Sequence, residues 1–181
     1  MANSFFRRLH LPRSVPHLGC MTQHERVHGH QVKKEQIANN CFGCGPGNQA
    51  GLRLEFVLDK QRQRFVCHFQ LEDRFVGPPG HAHGGIIATI LDEAMGKVNK
   101  LRDVIALTGR MEVDYLRPVP LGTPLTVEGW ELRVNGREHI HAAEIRNGNG
   151  EVLAESKGTF IEIDPHRMFA KYLKKEHSDA T

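Results

Sequence analysis

Two adjacent acids, Asp92 and Glu93, interrupt a segment whose apolar residues are predicted to be buried. The segment is GPPGHAHGGIIATILDEAMG, residues 77–96, which begins as a loop rich in glycine and proline. It continues with apolar residues at helical spacing. A carboxylate among such residues is costly unless it is hydrogen-bonded or used in catalysis. These two acids are therefore the first candidates for acid–base chemistry.

Helical spacing assigns the two acids to different faces. Glu93 stands four residues before Lys97, which is the favourable orientation for a surface ion pair. The pattern therefore predicts that Glu93 faces solvent and pairs with Lys97, and it favours this role over catalysis. Asp92 has no comparable partner in the sequence, so it is the predicted functional acid. The face of Asp92 carries small residues: Gly85, Ala88, Thr89 and Gly96.

The beginning of the predicted helix is a second chemical feature. Gly84 and Gly85 leave first-turn N–H groups without side-chain cover and without an intrahelical acceptor. Such groups favour an oxygen that carries negative charge. An acyl group could extend from Gly85 to Asp92, about 10 Å along the axis at 1.5 Å per residue. The alternative is that His83, Gly84 and Gly85 form only a helix cap, and spacing alone does not decide.

The elements that must position this helix are mostly strands. Alternating apolar residues and turn signals predict six of them, at residues 51–59, 64–71, 106–119, 123–136, 138–147 and 151–163. The helix is predicted over residues 82–100, with the apolar stripe Ile87, Ile90, Leu91, Ala94, Met95 and Val98. Tight turns pair neighbouring strands antiparallel. The order predicts an α+β domain in which a six-stranded antiparallel sheet wraps around one long central helix.

Length and charge define the predicted organisation. A chain of 181 residues accommodates one well-packed domain. Residues 1–40 hold six Lys or Arg and two Glu, a net charge of +4, and are predicted to be a flexible basic extension. The folded domain is expected over residues 41–165, followed by a basic C-terminal tail over 166–181, where residues 166–177 could form a short helix. The chain beyond residue 40 carries a net charge of −1 and lacks the basic excess expected of a nucleic-acid partner.

The lack of a predicted membrane span and of a secretory signal favours a soluble cytoplasmic protein. No apolar run approaches the roughly 18–20 residues of a membrane span. The four cysteines are irregularly spaced and no secretory signal precedes them, which favours reduced thiols in a cytosol. Residues 1–24 contain arginines and no acid, so a mitochondrial transit peptide is the alternative.

Three segments together resemble the hot-dog-fold thioesterases: CFGCGPGNQAGLRLEF, GPPGHAHGGIIATILDEAMG and ALTGRMEVDYLRPVPLG. The match is to the PaaI-type branch and, within it, to the mammalian thioesterase-superfamily (THEM) proteins. It covers residues 41–163 in the right order. The resemblance implies an acyl-CoA thioesterase that releases a free acid and CoA and needs no metal or organic cofactor. It also implies a homodimer, or a dimer of dimers, whose active site lies at the interface between subunits.

The resemblance implies roles for individual residues. Asp92 would be the general base that activates water, or the nucleophile. The Gly85 N–H would polarise the thioester carbonyl, with Gly84 beside it in the substrate site. His83 would shape the same pocket. Thr108 matches a position where such enzymes place a hydroxyl from the partner subunit to orient the water.

One position departs from the family pattern, and two arginines are candidates for binding CoA. Some PaaI-type enzymes have an Asn six residues before the motif histidine, where this chain has Gly77. A polar contact with the carbonyl is then lost or supplied by another group. Arg117, followed by Arg110, is the candidate to meet the phosphates of CoA.

The pair Cys41-x-x-Cys44 suggests a zinc or redox site. A zinc site needs about four ligands, and a second Cys pair is absent. His24, His28 and His30 could complete the site only by folding back, so the resemblance favours a simple turn before the first strand.

Two further functions stay open at this point. A hot-dog hydratase or dehydratase also pairs a histidine with an acid, but the string HAHGG resembles the thioesterase loop more closely. A non-catalytic acyl-CoA-binding regulator would not need both Asp92 and Thr108. The sequence does not indicate the acyl group.

Overall fold

In the computed structural model of the protein, residues 39–173 are described. The strands are β1 (Val57–Asp59), β2 (Arg64–Phe69), β3 (Ala106–Tyr115), β4 (Leu125–Asn135), β5 (Glu138–Asn147) and β6 (Val152–Glu162). The long helix is α1 (Gly84–Val98), and two short helices, α2 (Pro165–Met168) and α3 (Ala170–Leu173), follow the last strand. Single 3-10 turns lie at Asp73–Phe75 and Asn99–Arg102.

One antiparallel sheet contains all six strands, in the order β1-β2-β4-β5-β6-β3. Helix α1 separates β2 from β3 in the chain and packs against β2, β3, β4, β5 and β6. The chain therefore enters β3 at the far edge of the sheet after the helix has crossed it. This arrangement confirms the predicted fold class, a six-stranded antiparallel sheet packed on one long helix.

The apolar stripe of α1 is buried as predicted. All six stripe residues of the helix lie in the interior: Ile87, Ile90, Leu91, Ala94, Met95 and Val98. The helix approaches the sheet closely at Gly129 of β4, where a Cβ would collide with the backbone carbonyl of Ala94. The face of small residues around Asp92 is instead only half-buried. The helix therefore buries one side in the core and leaves the side of Asp92 near the surface.

A β-bulge in β3 determines which side chains face the helix. The pairing with β6 shifts between Thr108 and Arg110, so Gly109 is the extra residue. Without the bulge, Thr108 and Met111 would point to opposite faces, because side chains alternate along a strand. With it, Met111 packs against the core while Thr108 also reaches α1. The bulge thus brings a hydroxyl to the helix without interrupting the apolar face of the strand.

The first predicted strand is wrong over most of its length. Residues 51–59 were expected to be a strand, but only Val57–Asp59 pair with β2. Arg53 has a left-handed backbone, with φ of 50°. The amides of Leu52 and Leu54 donate to the carbonyls of Phe42 and Gly43, at 2.8 and 2.9 Å. This segment therefore pairs with the turn that carries the two cysteines instead of extending the sheet.

Several expectations fall outside the described residues. These are the structure of residues 1–38, including the transit-peptide alternative and the three histidines of the zinc alternative, and the end of the tail after residue 173. Within the tail, the helix expected over 166–177 is two short helices, α2 and α3, separated at Phe169. No helix in the described part of the chain is long and apolar enough to cross a membrane.

Candidate active site

Asp92 meets a hydroxyl group in the structure. The Thr108 hydroxyl donates to Asp92 Oδ1 at 2.7 Å, across the gap between β3 and α1. The resemblance implied that such a hydroxyl comes from the partner subunit, whereas here both residues belong to one chain. Among the described residues this is the only side-chain hydrogen bond to the carboxylate. Thr108 therefore fixes one carboxylate oxygen and leaves the other oxygen for a water molecule.

The surroundings of Asp92 make it a stronger base than an ordinary surface aspartate. Partial burial raises the pKa of this carboxyl, and the nearby negative charge of Glu93 raises it further, while the hydrogen bond from Thr108 opposes both effects. A raised pKa means a greater affinity for a proton. The carboxylate can therefore accept a proton from a bound water.

Glu93 pairs with Lys97 as predicted, but the prediction that it faces solvent is wrong. Lys97 Nζ lies 2.7 Å from Glu93 Oε1, and the two side chains are only 17% and 18% exposed. The turn of residues 41–45 covers the carboxylate. Burial alone would raise the pKa of Glu93, but hydrogen bonds from Cys44, Lys97 and Cys41 and the charge of Lys97 lower it instead. Glu93 therefore holds its proton less tightly than usual and is a poor acceptor.

The helix start is capped by a side chain. His83 is the N-cap of α1, and its Nδ1 accepts a hydrogen bond from the Gly85 N–H at 3.0 Å. The structure thus shows the helix cap, and the cap uses the same Gly85 N–H that the resemblance implied as the oxyanion donor. Because Nδ1 accepts, a neutral His83 carries its proton on Nε2. His83 and Gly85 are both exposed, so a ligand can approach them.

Two further residues shape this end of the helix. The hydroxyl of Tyr115, at the end of β3, donates to the Gly84 carbonyl at 3.1 Å, and its ring would contact a Cβ at Gly84. Sequence reasoning missed Tyr115, because the strand pattern alone does not place its side chain over the helix start. A Cβ on Gly77 would lie 2.7 Å from the Cα of His83. A side chain at position 77 would therefore require the backbone of His83 to shift in this structure.

The two candidate arginines are engaged in surface ion pairs. Arg117 Nε lies 2.5 Å from Glu151 Oε1, and Arg110 lies 2.6 Å from Glu112 Oε1. All four side chains are substantially exposed. The structure therefore does not bring these arginines into contact with Asp92 or the helix start, although both remain accessible to a ligand.

Comparisons with known proteins agree with this fold and motif. The family model described as Thioesterase superfamily matches residues 79–154. The acyl-coenzyme A thioesterase THEM4 of Rattus norvegicus is 30% identical over 140 residues, which cover 76% of this chain and 60% of the rat protein. The chain spans only about half to three-fifths of the curated THEM4 relatives that it matches.

Solved structures show the same architecture. A crystal structure of a thioesterase superfamily protein superimposes with a TM-score of 0.63 at 30% identity, covering 68% of this chain and 60% of that one. The structure of smu.793 from Streptococcus mutans, bound to acetyl-CoA, has a TM-score of 0.56 at 22% identity and covers 61% of this chain and 88% of that one. The E. coli PaaI protein shares the fold.

The sheet order, the capped helix and these matches define one class of protein. The chain belongs to the thioesterase superfamily and has its hot-dog fold. Within that superfamily it is similar to the THEM4 and THEM5 acyl-coenzyme A thioesterases. The recognition made from the three sequence segments is thereby confirmed.

Proposed function

We propose that this chain hydrolyses the thioester of an acyl-CoA to a free acid and CoA. The observation that carries the proposal is the carboxylate of Asp92, which is half-buried about 10 Å along α1 from Gly85, at 1.5 Å per residue, and is oriented by Thr108 at 2.7 Å. The names of the THEM4 relatives and the CoA bound to smu.793 support an acyl-CoA as the substrate.

Asp92 acts on water in this mechanism. The free carboxylate oxygen accepts a proton from water while the water oxygen attacks the thioester carbonyl carbon. The tetrahedral intermediate then collapses, the C–S bond breaks, and the proton passes to the departing CoA thiolate. A positioned base contributes about 100- to 10,000-fold in rate. Attack by the Asp92 carboxylate itself is the second route, and in a single turnover in ¹⁸O-labelled water only that route would place ¹⁸O in Asp92.

The helix start stabilises the negative charge that develops on the carbonyl oxygen. The His83 imidazole turns away from Gly85, and the carbonyl oxygen takes its place on the Gly85 N–H. Gly84 has no Cβ, so its backbone leaves room for the carbonyl oxygen beside the Gly85 N–H. One oxyanion donor is typically worth about 3–4 kcal/mol in the transition state. No metal or organic cofactor is required for these steps.

The edge of the sheet is the surface on which two chains associate. Within residues 39–173 β3 pairs only with β6, so no described strand pairs with its other edge. Leu107 and Tyr115 on this strand are 42% and 54% exposed. An open edge with exposed apolar side chains favours pairing with a second copy. A β3-to-β3 homodimer places the partner next to Thr108, and two such dimers can form a tetramer.

The phosphates of CoA bind to two exposed arginines, Arg117 and Arg110. The phosphates compete with Glu151 for Arg117, which follows directly after β3. Arg110, on the same strand as Thr108, is the second candidate. Both arginines are exposed, so each contact is expected to be worth little by itself.

The test is the release of free thiol from a panel of short-chain, medium-chain, long-chain and aryl-acetyl CoAs, with binding of each CoA measured in parallel. Release from at least one member supports the proposal and identifies the acyl class. Tight binding without release from any member would contradict it and favour the acyl-CoA-binding regulator. Formation of a hydroxyacyl-CoA from an enoyl-CoA, without thiol release, would favour the hydratase.

A further inference from the structure

A cluster of metal-binding side chains lies next to α1, on the side of Glu93. The sulfur atoms of Cys41 and Cys44 and a carboxylate oxygen of Glu93 all lie within 4.8 Å of one another. Cys41 Sγ is 3.7 Å from Glu93 Oε2. The three residues come from two parts of the chain 49 or more positions apart, a turn and a helix. Folding therefore brings together ligands that the sequence does not place side by side.

Two glycines allow the turn to close over the carboxylate. The Gly45 N–H donates to the Cys41 carbonyl at 2.8 Å, and a Cβ at Gly45 would collide with the backbone of Cys41. A Cβ at Gly43 would collide with the carboxylate of Glu93. A turn with ordinary side chains at these positions could not bring both sulfur atoms so close to the helix. The two glycines of the segment Cys41-Phe-Gly-Cys44-Gly45 therefore allow this turn to pack directly against Glu93.

A cation already occupies this cluster. Lys97 Nζ lies 2.8 Å from Cys44 Sγ and 2.7 Å from Glu93 Oε1. The ammonium group thus stands between a thiol and a carboxylate, where positive charge is favoured. Beside it lies a cavity of about 290 Å³, whose walls include Lys97, Phe56 and Glu55. The long Lys97 side chain has room in this cavity to move away from the cluster.

We propose that Cys41, Cys44 and Glu93 form a zinc site, with water as the fourth ligand. Two sulfur ligands and one carboxylate suit Zn²⁺, and three protein ligands with a water complete a tetrahedron. Binding releases the two thiol protons and displaces Lys97 from the cluster. The ion fastens the turn of residues 41–45 to the helix that carries Asp92. This site is separate from the proposed catalytic function and does not depend on it.

The carboxylate distinguishes a metal site from a simple disulfide. Oxidation of Cys41 and Cys44 to a disulfide would make no use of Glu93, and the nearby negative charge would disfavour the thiolate that attacks. Zinc uses all three groups. The role of Glu93 is therefore the decisive part of the proposal.

The experiment uses the full-length chain, reduced and freed of metal, and titrates it with Zn²⁺ and with Co²⁺. The expected result is one zinc ion per chain, a higher thermal midpoint with zinc, and Co²⁺ spectra with a sulfur-to-cobalt charge-transfer band and the strong visible bands of tetrahedral cobalt. Binding to the folded state raises stability in proportion to the logarithm of the zinc concentration. Absence of bound zinc and of the cobalt bands, or recovery of a Cys41–Cys44 disulfide that retains no metal, would overturn the proposal.

Variants test the three ligands one by one. Cys44→Ser and Glu93→Gln are each expected to weaken zinc binding at least about 100-fold, since loss of an outer partner alone costs about 10- to 100-fold. Glu55→Gln and Cys67→Ala are the matched controls, because they remove a nearby exposed carboxylate and a buried thiol outside the cluster. Both should bind zinc like the wild type. Unchanged affinity in Glu93→Gln would refute the three-ligand site.

Folding is checked by circular dichroism in each metal-free variant. If Cys44→Ser or Glu93→Gln does not fold, Cys41→Ser decides the matter, because Cys41 is exposed and its loss leaves the Lys97–Glu93 pair in place. Loss of the charge-transfer band in Cys41→Ser is the expected result, and wild-type binding would contradict it.

Discussion

Asp92 and Glu93 are neighbours in the chain, but the structure places them in opposite electrostatic environments. Asp92 faces β3, where its partner is the neutral hydroxyl of Thr108. Glu93 faces the turn of residues 41–45, where Lys97 and two thiols surround it. Burial penalises both carboxylates, yet the pKa of Asp92 is raised and that of Glu93 is lowered. What decides the outcome is the number of hydrogen-bond donors around the carboxylate, together with the charge of Lys97, so burial by itself does not identify a catalytic acid.

The difference has consequences for stability as well as for chemistry. A carboxyl with a lowered pKa stabilises the fold at neutral pH, and this contribution is lost as the pH falls through the folded-state pKa. That is the case of Glu93. A carboxyl with a raised pKa destabilises the fold at neutral pH, and this cost disappears as it becomes protonated. That is the case of Asp92. The presence of a carboxyl group at this position is therefore better explained by function than by stability.

The largest effect is expected from Asp92→Asn. Loss of the base should lower kcat/KM for a substrate acyl-CoA by about 100- to 10,000-fold. Folding and self-association should be preserved, and the thermal midpoint should stay equal or rise, because a partly buried charge is removed. The measurement is thiol release combined with thermal unfolding and sedimentation. Glu93→Gln is the matched control and should lose less than about tenfold, because its side chain contacts Lys97 and the turn of residues 41–45, whereas Thr108 contacts Asp92.

A greater loss from Glu93→Gln than from Asp92→Asn would mean that the roles of the two acids are reversed.

The second-largest effect is a loss of stability when the partner of Glu93 is removed. Lys97→Met leaves a carboxylate that is 18% exposed without its ammonium partner. Removing one member of a buried pair typically costs about 3–5 kcal/mol. Urea unfolding of chelator-treated protein should therefore show a large loss at neutral pH, which shrinks below the ordinary pKa of glutamate as Glu93 becomes protonated.

Lys97→Met combined with Glu93→Gln should recover much of that stability. If the double variant were as unstable as Lys97→Met, the uncompensated charge of Glu93 would not be the cause.

A smaller effect is expected from Thr108→Val, on the side of Asp92. A hydrogen bond to a charged group is worth about 1.5–3 kcal/mol, or about 10- to 100-fold in rate if it is needed in the transition state. Because the hydroxyl lowers the pKa of Asp92, its removal should raise that pKa and shift the acidic limb of the kcat/KM profile to higher pH. Thr108→Ser keeps the hydroxyl and should restore both rate and profile. A profile that does not move would remove Thr108 from the site.

The smallest effect is expected at Arg117, beyond the end of β3. Arg117→Gln should raise KM for acyl-CoA by less than about fivefold with little change in kcat, as expected for one exposed charge. The same substrate without the 3′-phosphate of CoA shows whether that phosphate is the contact. A loss in kcat at unchanged KM would instead place this arginine near the reacting atoms.

Sequence patterns were sufficient for the architecture, and they selected Asp92 as the candidate acid. The 3.6-residue period of the apolar stripe predicts the buried face of α1, and the lack of a charged partner singles out Asp92. Such patterns report regular structure. They fail over residues 51–56, because a left-handed Arg53 and backbone bonds to the cysteine turn replace the expected strand there.

The environment of the site was harder to predict. The bulge at Gly109 is what aims Thr108 at Asp92 in the same chain, and alternation along a strand does not reveal a bulge. The burial of Glu93 depends on a turn about fifty residues earlier in the chain, so the i,i+4 rule found its partner but not its exposure. The hydrogen bond between the Gly85 N–H and His83 depends on the rotamer of His83, which spacing does not fix.

The most direct measurement is an NMR titration of the two carboxyl groups in chelator-treated full-length protein, with assignments from Asp92→Asn and Glu93→Gln. Asp92 is expected to titrate with a pKa above the ordinary range of aspartate, and Glu93 with a pKa below that of glutamate. Equal or reversed shifts would contradict the division of roles between the two acids.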